Sequence, residues 1–286
     1  MKNFIYVKPR LLVLAAGLSL SLLTLTSCEE EEVLPSVPGV PSTGTPPTTP
    51  PANPAPPANP TPPATPAPPV TTNSLLTQLG TKVLKYDAQN RLVEVSYTDQ
   101  QTHGYTVVYE GNKAVRLNFR SGGYLLYTYE GDKVVAAARY YGDNLVNYRY
   151  AFEYSGDKLV KQKQWSYAVS DAGFLTVNAY SYDANGNLTS ILVSAAASGQ
   201  EADLARSYQI TWGGYDAKPN PMPFAESTIF LPGVKLFANN PGYRDSGSSK
   251  ELFSYLYHES GMPDKRYTRL EGYPHVPAFT DTYTYQ

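Results

Sequence analysis

A tyrosine-centred motif recurs along the second part of this 286-residue sequence, and it restricts the possible folds more than any other feature. Each copy starts at a tyrosine, passes through a short polar stretch that contains glycine or asparagine, and ends in aliphatic residues. The copies begin at Tyr86, Tyr109, Tyr129, Tyr154 and Tyr182, at spacings of 23, 20, 25 and 28 residues. Each copy is therefore long enough for two strands and two turns.

The middle of each copy has the composition of a tight turn. Gly-Asn, Gly-Asp and Asn-Gly pairs tolerate the positive φ that tight β-hairpin turns need. We therefore predict that each copy forms one hairpin, in which a tyrosine-containing strand, a turn and an aliphatic strand follow one another. The glycines predicted to lie in these turns are Gly111, Gly131, Gly156 and Gly186.

The residues around the turns alternate in polarity. Tyr148, Tyr150, Phe152 and Tyr154 share one face of an extended chain. Val115, Leu117 and Phe119 likewise fall opposite Arg116, Asn118 and Arg120. A period of two predicts half-buried antiparallel strands. The predicted fold class is therefore all-β, an antiparallel meander of repeated hairpins that rolls toward a barrel or a wrapped sheet.

The hairpin pattern stops between Trp212 and Tyr255. Prolines exclude a regular central strand through most of this stretch; they are Pro219, Pro221, Pro223, Pro232 and Pro241. The same stretch is rich in large apolar side chains, which gain free energy when they are buried. We predict that Phe224 to Phe237, as a short helix or irregular segment, fills the concave face of the meander. The alternative is that this segment is exposed and binds a partner.

The N-terminus has the layout of an export signal. Basic residues precede a 15-residue apolar run, Leu11–Leu25, which is short for a membrane span of about 20 residues and typical of a signal peptide. Leu25 to Cys28 resembles the bacterial lipobox, and this resemblance implies cleavage before Cys28 and lipidation of its thiol. The alternative is an ordinary secretory signal. Cys28 is the only cysteine, so the rest of the chain has no disulfide.

A spacer separates this signal from the repeats. Glu29 to Glu32 form an acidic run, and 16 prolines occur among the 35 residues from Pro35 to Pro69. Such a proline density favours extended polyproline II. The predicted layout is a signal peptide over residues 1–27, then the lipidated cysteine, acidic run and proline-rich stalk over 28–72, and a β-repeat domain over 73–286.

The order Tyr-Asp-x-x-Gly-Asn/Arg-Leu resembles the YD repeat of Rhs and teneurin-type proteins, and Tyr182 to Leu188 matches it best. The acidic run resembles the export signal of Bacteroidota surface lipoproteins. Together with the lipobox and the degenerate repeats, it makes the chain similar to exported Bacteroidota lipoproteins of unknown function that have a porin-like β fold. Tyr215 to Pro221 and Tyr283 to Tyr285 share this resemblance. It implies a lipid-anchored protein of the outer membrane that faces the cell exterior, and it supplies no catalytic residue.

Residue chemistry favours binding over catalysis. The repeat domain is nearly neutral, so it lacks the basic field that nucleic acid requires. His103, His258 and His275 lie far apart, and the sequence has no nucleophile elbow or phosphate loop. Asp183 to Asn187 has the glycine of a calcium loop at the wrong position and is predicted to be a turn. We therefore expect no catalytic residue, metal or cofactor.

The expected function is a non-catalytic binding or structural role in a monomeric protein that contacts the membrane through its lipid. The ligand is open between a glycan and a protein. One alternative is a glycan-binding lipoprotein of a polysaccharide-uptake system, with aromatic platforms at Trp165, Tyr167, Tyr140 and Tyr141, unless these side chains only cover the sheet surface. A hydrolase is the other alternative, since carboxylate pairs such as Glu251 and Glu259 can hydrolyse glycosides.

Overall fold

A computed structural model describes residues 74–142, 144–168, 171–223 and 229–286 of the chain. The predicted signal peptide, Cys28, the acidic run, the stalk and Phe224 lie outside the described residues. One short 3-10 helix, Glu201–Asp203, occurs in the described part, and sixteen strands make up the rest of its regular structure. The strands are β1 Leu76–Leu79, β2 Lys82–Tyr86, β3 Leu92–Tyr97, β4 Gly104–Glu110, β5 Lys113–Phe119, β6 Tyr124–Glu130, β7 Lys133–Tyr141, β8 Leu145–Ser155, β9 Lys158–Ser166, β10 Phe174–Tyr182, β11 Leu188–Ala196, β12 Ala205–Gly213, β13 Tyr243–Asp245, β14 Lys250–Tyr257, β15 Pro263–Leu270 and β16 Phe279–Tyr285.

The strands form one closed barrel. Each strand pairs antiparallel with the next strand in sequence, and β1 pairs with β16 to close the sheet. The closing register places Leu79 opposite Tyr283. This arrangement confirms the predicted antiparallel meander. Of the two predicted forms, a barrel and a wrapped sheet, the meander forms the barrel.

Each sequence repeat is a hairpin, as predicted. Gly111, Gly131 and Gly156 have φ values of 59°, 59° and 55°, and Gly186 has a φ of 84°. These positive values need glycine, because a Cβ is disfavoured in that region. In the longer turn at Gly186 the side chain of Asp183 also accepts a hydrogen bond from the backbone N–H of Asn187, at 2.8 Å.

A β-bulge directly follows each of these turns, and it corrects one detail of the predicted alternation. In the second hairpin Tyr109 pairs with Ala114 and Val108 with Arg116, so Val115 is the additional residue. Ala114 is buried in place of Val115, while Leu117 faces the interior as predicted. The prediction for Val115 was wrong because a bulge shifts the strand by one residue, which exchanges its faces.

The tyrosine of each repeat ties its hairpin to the preceding one. Tyr129 donates a hydrogen bond from its hydroxyl to the carbonyl of Ala114, at 2.8 Å, and Tyr154 does the same to Val134 at 2.8 Å. Burial raises the pKa of both hydroxyls to about 12, so both keep the proton that they donate at neutral pH. The equivalent bonds join Tyr109 to Leu92 and Tyr182 to Leu159.

The proline-rich break in the pattern closes one end of the barrel. Residues 229–237, here called the plug, form an irregular segment whose Ile229 and Leu231 are 1% and 2% exposed. Leu188 donates its backbone N–H to the carbonyl of Leu236 at 2.9 Å, and Tyr127 donates its hydroxyl to the carbonyl of Phe230. The plug packs on the inward side chains of the strands, which confirms the predicted burial for residues 229–237.

The plugged end is also the end at which the described chain enters and leaves the barrel. The plug lines a small cavity together with the turn residues Asp132 and Asp157, so it lies at the end that carries the repeat turns. Tyr86, directly before one of these turns, donates its hydroxyl to the carbonyl of Leu76 at 2.8 Å. Since β1 begins at Leu76 and Tyr285 lies opposite it, both chain ends meet the barrel there.

The outer wall of the barrel carries charged side chains. Glu94 on β3 bonds to Arg120 at 2.6 Å, and Glu153 on β8 lies 3.0 Å from Lys163 on β9. These residues alternate with inward apolar neighbours such as Val95 and Phe152, which are buried. Exposed apolar side chains such as Leu126 and Leu256 also lie on this outer face. The outer wall therefore combines ion pairs between neighbouring strands with scattered apolar side chains.

Candidate binding sites in the barrel lumen

The aromatic residues proposed from the sequence lie outside the lumen or at its rim. Trp165 points outward, packs on Leu175 and Val177, and donates its indole N–H to the carbonyl of Gly199 at 3.1 Å. The loop that contains Gly199 covers this tryptophan. Its neighbour Tyr167 is half-buried, and the guanidinium of Arg149 lies 5.8 Å from its ring centroid.

The two other proposed residues follow one another on β7. Tyr140 stacks on Tyr124 across the outer face, with ring centroids 4.9 Å apart, whereas Tyr141 is 57% exposed at the end of the strand. The four residues are thus spread over different features of the surface. Their role in sugar binding stays a prediction.

A first cavity, here called the inner chamber, lies inside the barrel above the plug and has a volume of about 290 Å³. Strands β12 to β16 and β1 form its wall, and Phe237 of the plug forms part of its floor. Aromatic side chains supply much of its surface; they are Trp212, Phe237, Phe253, Tyr255 and Tyr283. Trp212 and Phe237 lie in contact, with ring centroids 6.0 Å apart.

The basic side chains of the inner chamber each belong to an ion pair, and Asn220 and Thr268 add neutral polar groups. Arg244 lies 3.4 Å from Glu251 across β13 and β14. Arg266, which also lines the chamber, lies 2.7 Å from Asp281 and 5.4 Å from the ring centroid of Phe253. The chamber therefore carries hydrogen-bond donors and acceptors without an excess of charge on these four residues.

This combination suits reversible binding of a polar ligand with flat apolar faces. Aromatic rings supply large contact areas, and fixed polar groups orient what they contact. Glu251 is held by an arginine, and Glu259, its suggested partner for hydrolysis, is exposed in the turn beyond the other end of β14. Hydrolysis needs two carboxyl groups that flank one bond, and the structure separates these two.

A second cavity, here called the mouth cavity, opens at the end opposite the plug and has a volume of about 330 Å³. Its rim includes His103 and Ser121, from the loops after β3 and β5. Its wall is formed by inward residues of β2 to β5 and of β7, which include Lys82, Tyr97, Tyr105, Phe119 and Arg139. Tyr105 and Phe119 meet edge to face with centroids 6.0 Å apart.

The mouth cavity differs from the inner chamber in its charge. Lys82 and Arg139 line it, and no acidic residue is among the described residues that do so. The guanidinium of Arg139 lies 4.1 Å from the ring centroid of Phe119, and the ammonium of Lys82 lies 5.9 Å from that of Tyr97. The cavity therefore combines aromatic rings with two basic side chains.

The turn that has the composition of a calcium loop is a structural turn, as predicted. Asp183 accepts backbone hydrogen bonds from Asn185 and Asn187 through one carboxylate oxygen, at 2.9 and 2.8 Å. Asn187 is fully buried, and its side-chain oxygen accepts the N–H groups of Ala238 and Asn239 just beyond the plug. Asn187 thus fixes the chain that follows the plug. The part of the chain that the structure describes has no cluster of three metal-ligating side chains.

The polar lumen residues were missed in the sequence, although a signal for them exists. Arg139, Arg244 and Arg266 each occupy the inward face of a strand, where charged residues are rare. The face of Arg139 becomes clear only once the bulge after Val134 is placed, because a slip of one residue would turn it outward.

This geometry defines the structural class of the protein. It is a closed antiparallel barrel with one plugged end and two cavities in its lumen. Its fold is similar to that of a porin-like protein from Bacteroides vulgatus, with a TM-score of 0.51 and 14% identity over 74% of this chain and 99% of that chain. A porin-like protein from Bacteroides uniformis gives a TM-score of 0.47 and 13% identity, over 72% of this chain and 89% of that chain. The sequence matches no protein-family model and no curated protein.

The likeness to the Bacteroides vulgatus protein shows a shared fold, and at this identity it shows the fold alone. The short helix Glu201–Asp203 is the only helix among the described residues, and it is not long and apolar enough to cross a membrane.

Proposed function

We propose that this chain is an exported, lipid-anchored binding protein whose barrel holds a polyhydroxylated ligand, such as a glycan fragment, in the inner chamber. The observation that carries this proposal is the lining of that chamber, in which aromatic faces surround the ion pair of Arg244 and Glu251. Sugar rings present flat C–H faces to aromatic side chains and hydroxyls to charged groups, so the lining matches both parts of such a ligand.

The arrangement of the barrel ends supports an anchored protein that collects ligand from outside. The chain enters β1 at the plugged end, so whatever precedes residue 74 is joined to that end. The mouth cavity opens at the other end. Since ion pairs lie on the outer wall, we propose that Cys28 and its lipid, rather than the barrel, hold the protein at the outer membrane. The acidic run after Cys28 favours display on the cell exterior.

Calorimetric titration of the mature protein against neutral oligosaccharides tests the binding proposal. We expect at least one ligand to bind, and Trp212→Ala to weaken it about tenfold, since one lost stacking contact and its buried area are worth about 1–2 kcal/mol. Glu251→Gln, which keeps the shape of the side chain, should weaken the same ligand. The matched control is Tyr140→Ala on the outer face.

Two results would contradict the proposal. If Tyr140→Ala lowers the affinity and Trp212→Ala does not, the ligand binds the outer wall. If the protein splits the oligosaccharides during long incubation, and Glu251→Gln stops this, the protein is a hydrolase. Unchanged thermal unfolding of the variants shows that the affinity changes do not come from loss of structure.

A further inference from the structure

The mouth cavity contains a cation whose hydrogen-bonding capacity is not fully used by the protein. Arg139 is opposite Leu125 on β6 and Tyr148 on β8, which places it on the inner face of the wall. Its guanidinium packs between the rings of Phe119 and Tyr148, at 4.1 and 5.8 Å from their centroids. Its Nε–H group is buried and has no hydrogen-bond partner among the described residues. An acceptor in the cavity would therefore be contacted by the terminal N–H groups of Arg139, which lines the cavity.

The residues around Arg139 favour a negatively charged acceptor. Lys82 lines the same cavity, and none of the described lining residues is acidic. In the inner chamber each arginine is instead paired with a carboxylate, namely Glu251 and Asp281. No ion pair joins Arg139 to a carboxylate of the described residues, so an anion in the mouth cavity would meet its positive charge, whereas a neutral ligand would gain only packing there.

The surroundings also select the shape of the ligand. Tyr97, Tyr105 and Phe119 present ring faces and edges beside the two cations. A flat or chair-shaped ring can contact these side chains while a group attached to it reaches a cation. Arginine binds carboxylates through two parallel N–H groups, which fixes the orientation of the attached ring.

We propose that the mouth cavity is a second binding site, selective for a carboxylate attached to a six-membered ring, with Arg139 as its anion-binding residue and Phe119 and Tyr97 as its ring contacts. An acidic sugar has the carboxylate and ring that this site would bind. It is also polyhydroxylated, like the ligand proposed for the inner chamber. This inference rests on the proposed function only in assuming that ligands reach the lumen through the open end.

The experiment compares four small probes on the mature protein by nuclear magnetic resonance titration. Galacturonate and galactose differ by a carboxylate on a sugar ring, and benzoate and benzyl alcohol make the same comparison on an aromatic ring. We expect galacturonate to bind about tenfold more tightly than galactose, since a charge-assisted contact exceeds a neutral one by about that factor. The preference should fall as salt is added. A benzoate affinity above that of galacturonate would overturn the assignment to acidic sugars.

Substitutions of Arg139 and of an outer-face arginine locate the site that gives the preference for the anion. Arg139→Gln should remove the preference for the anion, and Arg139→Lys should keep part of it. The matched control is Arg116→Gln, because Arg116 lies 3.9 Å from the ring centroid of Tyr124 on the outer face. A preference that survives in Arg139→Gln, or that is lost equally in Arg116→Gln, would overturn the site.

The two proposals fail in different ways. If Trp212→Ala abolishes galacturonate binding and Arg139→Gln leaves it unchanged, the mouth site is wrong and the inner chamber stands. If Arg139→Gln abolishes it and Trp212→Ala has no effect on any ligand, the mouth site stands and the inner chamber is wrong. Equal binding of galacturonate and galactose by the unaltered protein overturns the mouth site by itself.

Discussion

At the scale of residues, the repeat works because each copy completes the hydrogen bonds of its neighbour. Lys133, directly after one turn, donates to the carbonyl of Gly156 in the next turn, and its ammonium lies 5.7 Å from the ring centroid of Tyr154. The hydroxyl of Tyr154 in turn donates to Val134. A tyrosine, a turn glycine and a basic residue therefore recur at similar spacing along the chain because they contact each other across adjacent hairpins. Their recurrence needs no role in ligand binding.

Substitution of a turn glycine tests this reading at one position. Gly131 has a φ of 59°, and a Cβ built on it meets no atom within 4 Å. The cost of a side chain there is consequently conformational, and we expect Gly131→Val to lower the free energy of unfolding by about 1–2 kcal/mol. Gly131→Asn should cost less, because asparagine tolerates positive φ. Urea unfolding measures both, and equal costs for the two variants would contradict the conformational explanation.

At the scale of elements, the sequence predicted the hairpins and their turns because both depend on neighbouring residues. The number of strands and the closure of the sheet depend on distant pairs, such as Leu79 with Tyr283, which no local pattern encodes. The three-residue strand β13, Tyr243–Asp245, is too short for a periodic signal and follows prolines. Placement of the plug was predictable because its composition conflicts with both a strand and an exposed loop.

The buried side chains of the plug should contribute measurably to the stability of the barrel. Ile229 and Leu231 are almost completely buried, so truncation of either side chain to alanine leaves a cavity. We expect each variant to lower the free energy of unfolding by about 2–5 kcal/mol. Leu256→Ala is the control, because Leu256 is 50% exposed on the outer face and should change stability by less than about 0.5 kcal/mol. Similar, small effects at all three positions in urea unfolding would show that the plug is dispensable to the core.

At the scale of the whole molecule, the candidate sites exist only because the barrel closes. Arg139 on β7 and Lys82 on β2 line one cavity, and Trp212 on β12 faces Phe237 of the plug in the other. No local sequence pattern marks any of these side chains as part of a cavity. The aromatic residues selected from the sequence lie instead on the outer wall or at the rim of the barrel. The sequence could indicate that the domain binds something, and the position of the lumen sites required the closed sheet.

The anchoring hypothesis also belongs to the whole molecule, and it depends on Cys28 alone because the chain has no other cysteine. Cys28→Ser should abolish incorporation of labelled palmitate and leave an uncleaved or soluble species, since a serine offers no thiol for lipidation. Two or more acyl chains on one residue would anchor a protein stably, whereas one would not. Unchanged palmitate labelling in Cys28→Ser would refute the anchor.

Surface display is a separate prediction. Replacement of Glu29 to Glu32 by alanine should leave palmitate labelling intact and protect the protein from protease added to whole cells. Equal cleavage of the alanine variant and the unaltered protein would show that the acidic run does not direct surface display. Thermal unfolding of the barrel should be the same in all these variants, because the strands begin at Leu76 and include none of the substituted residues.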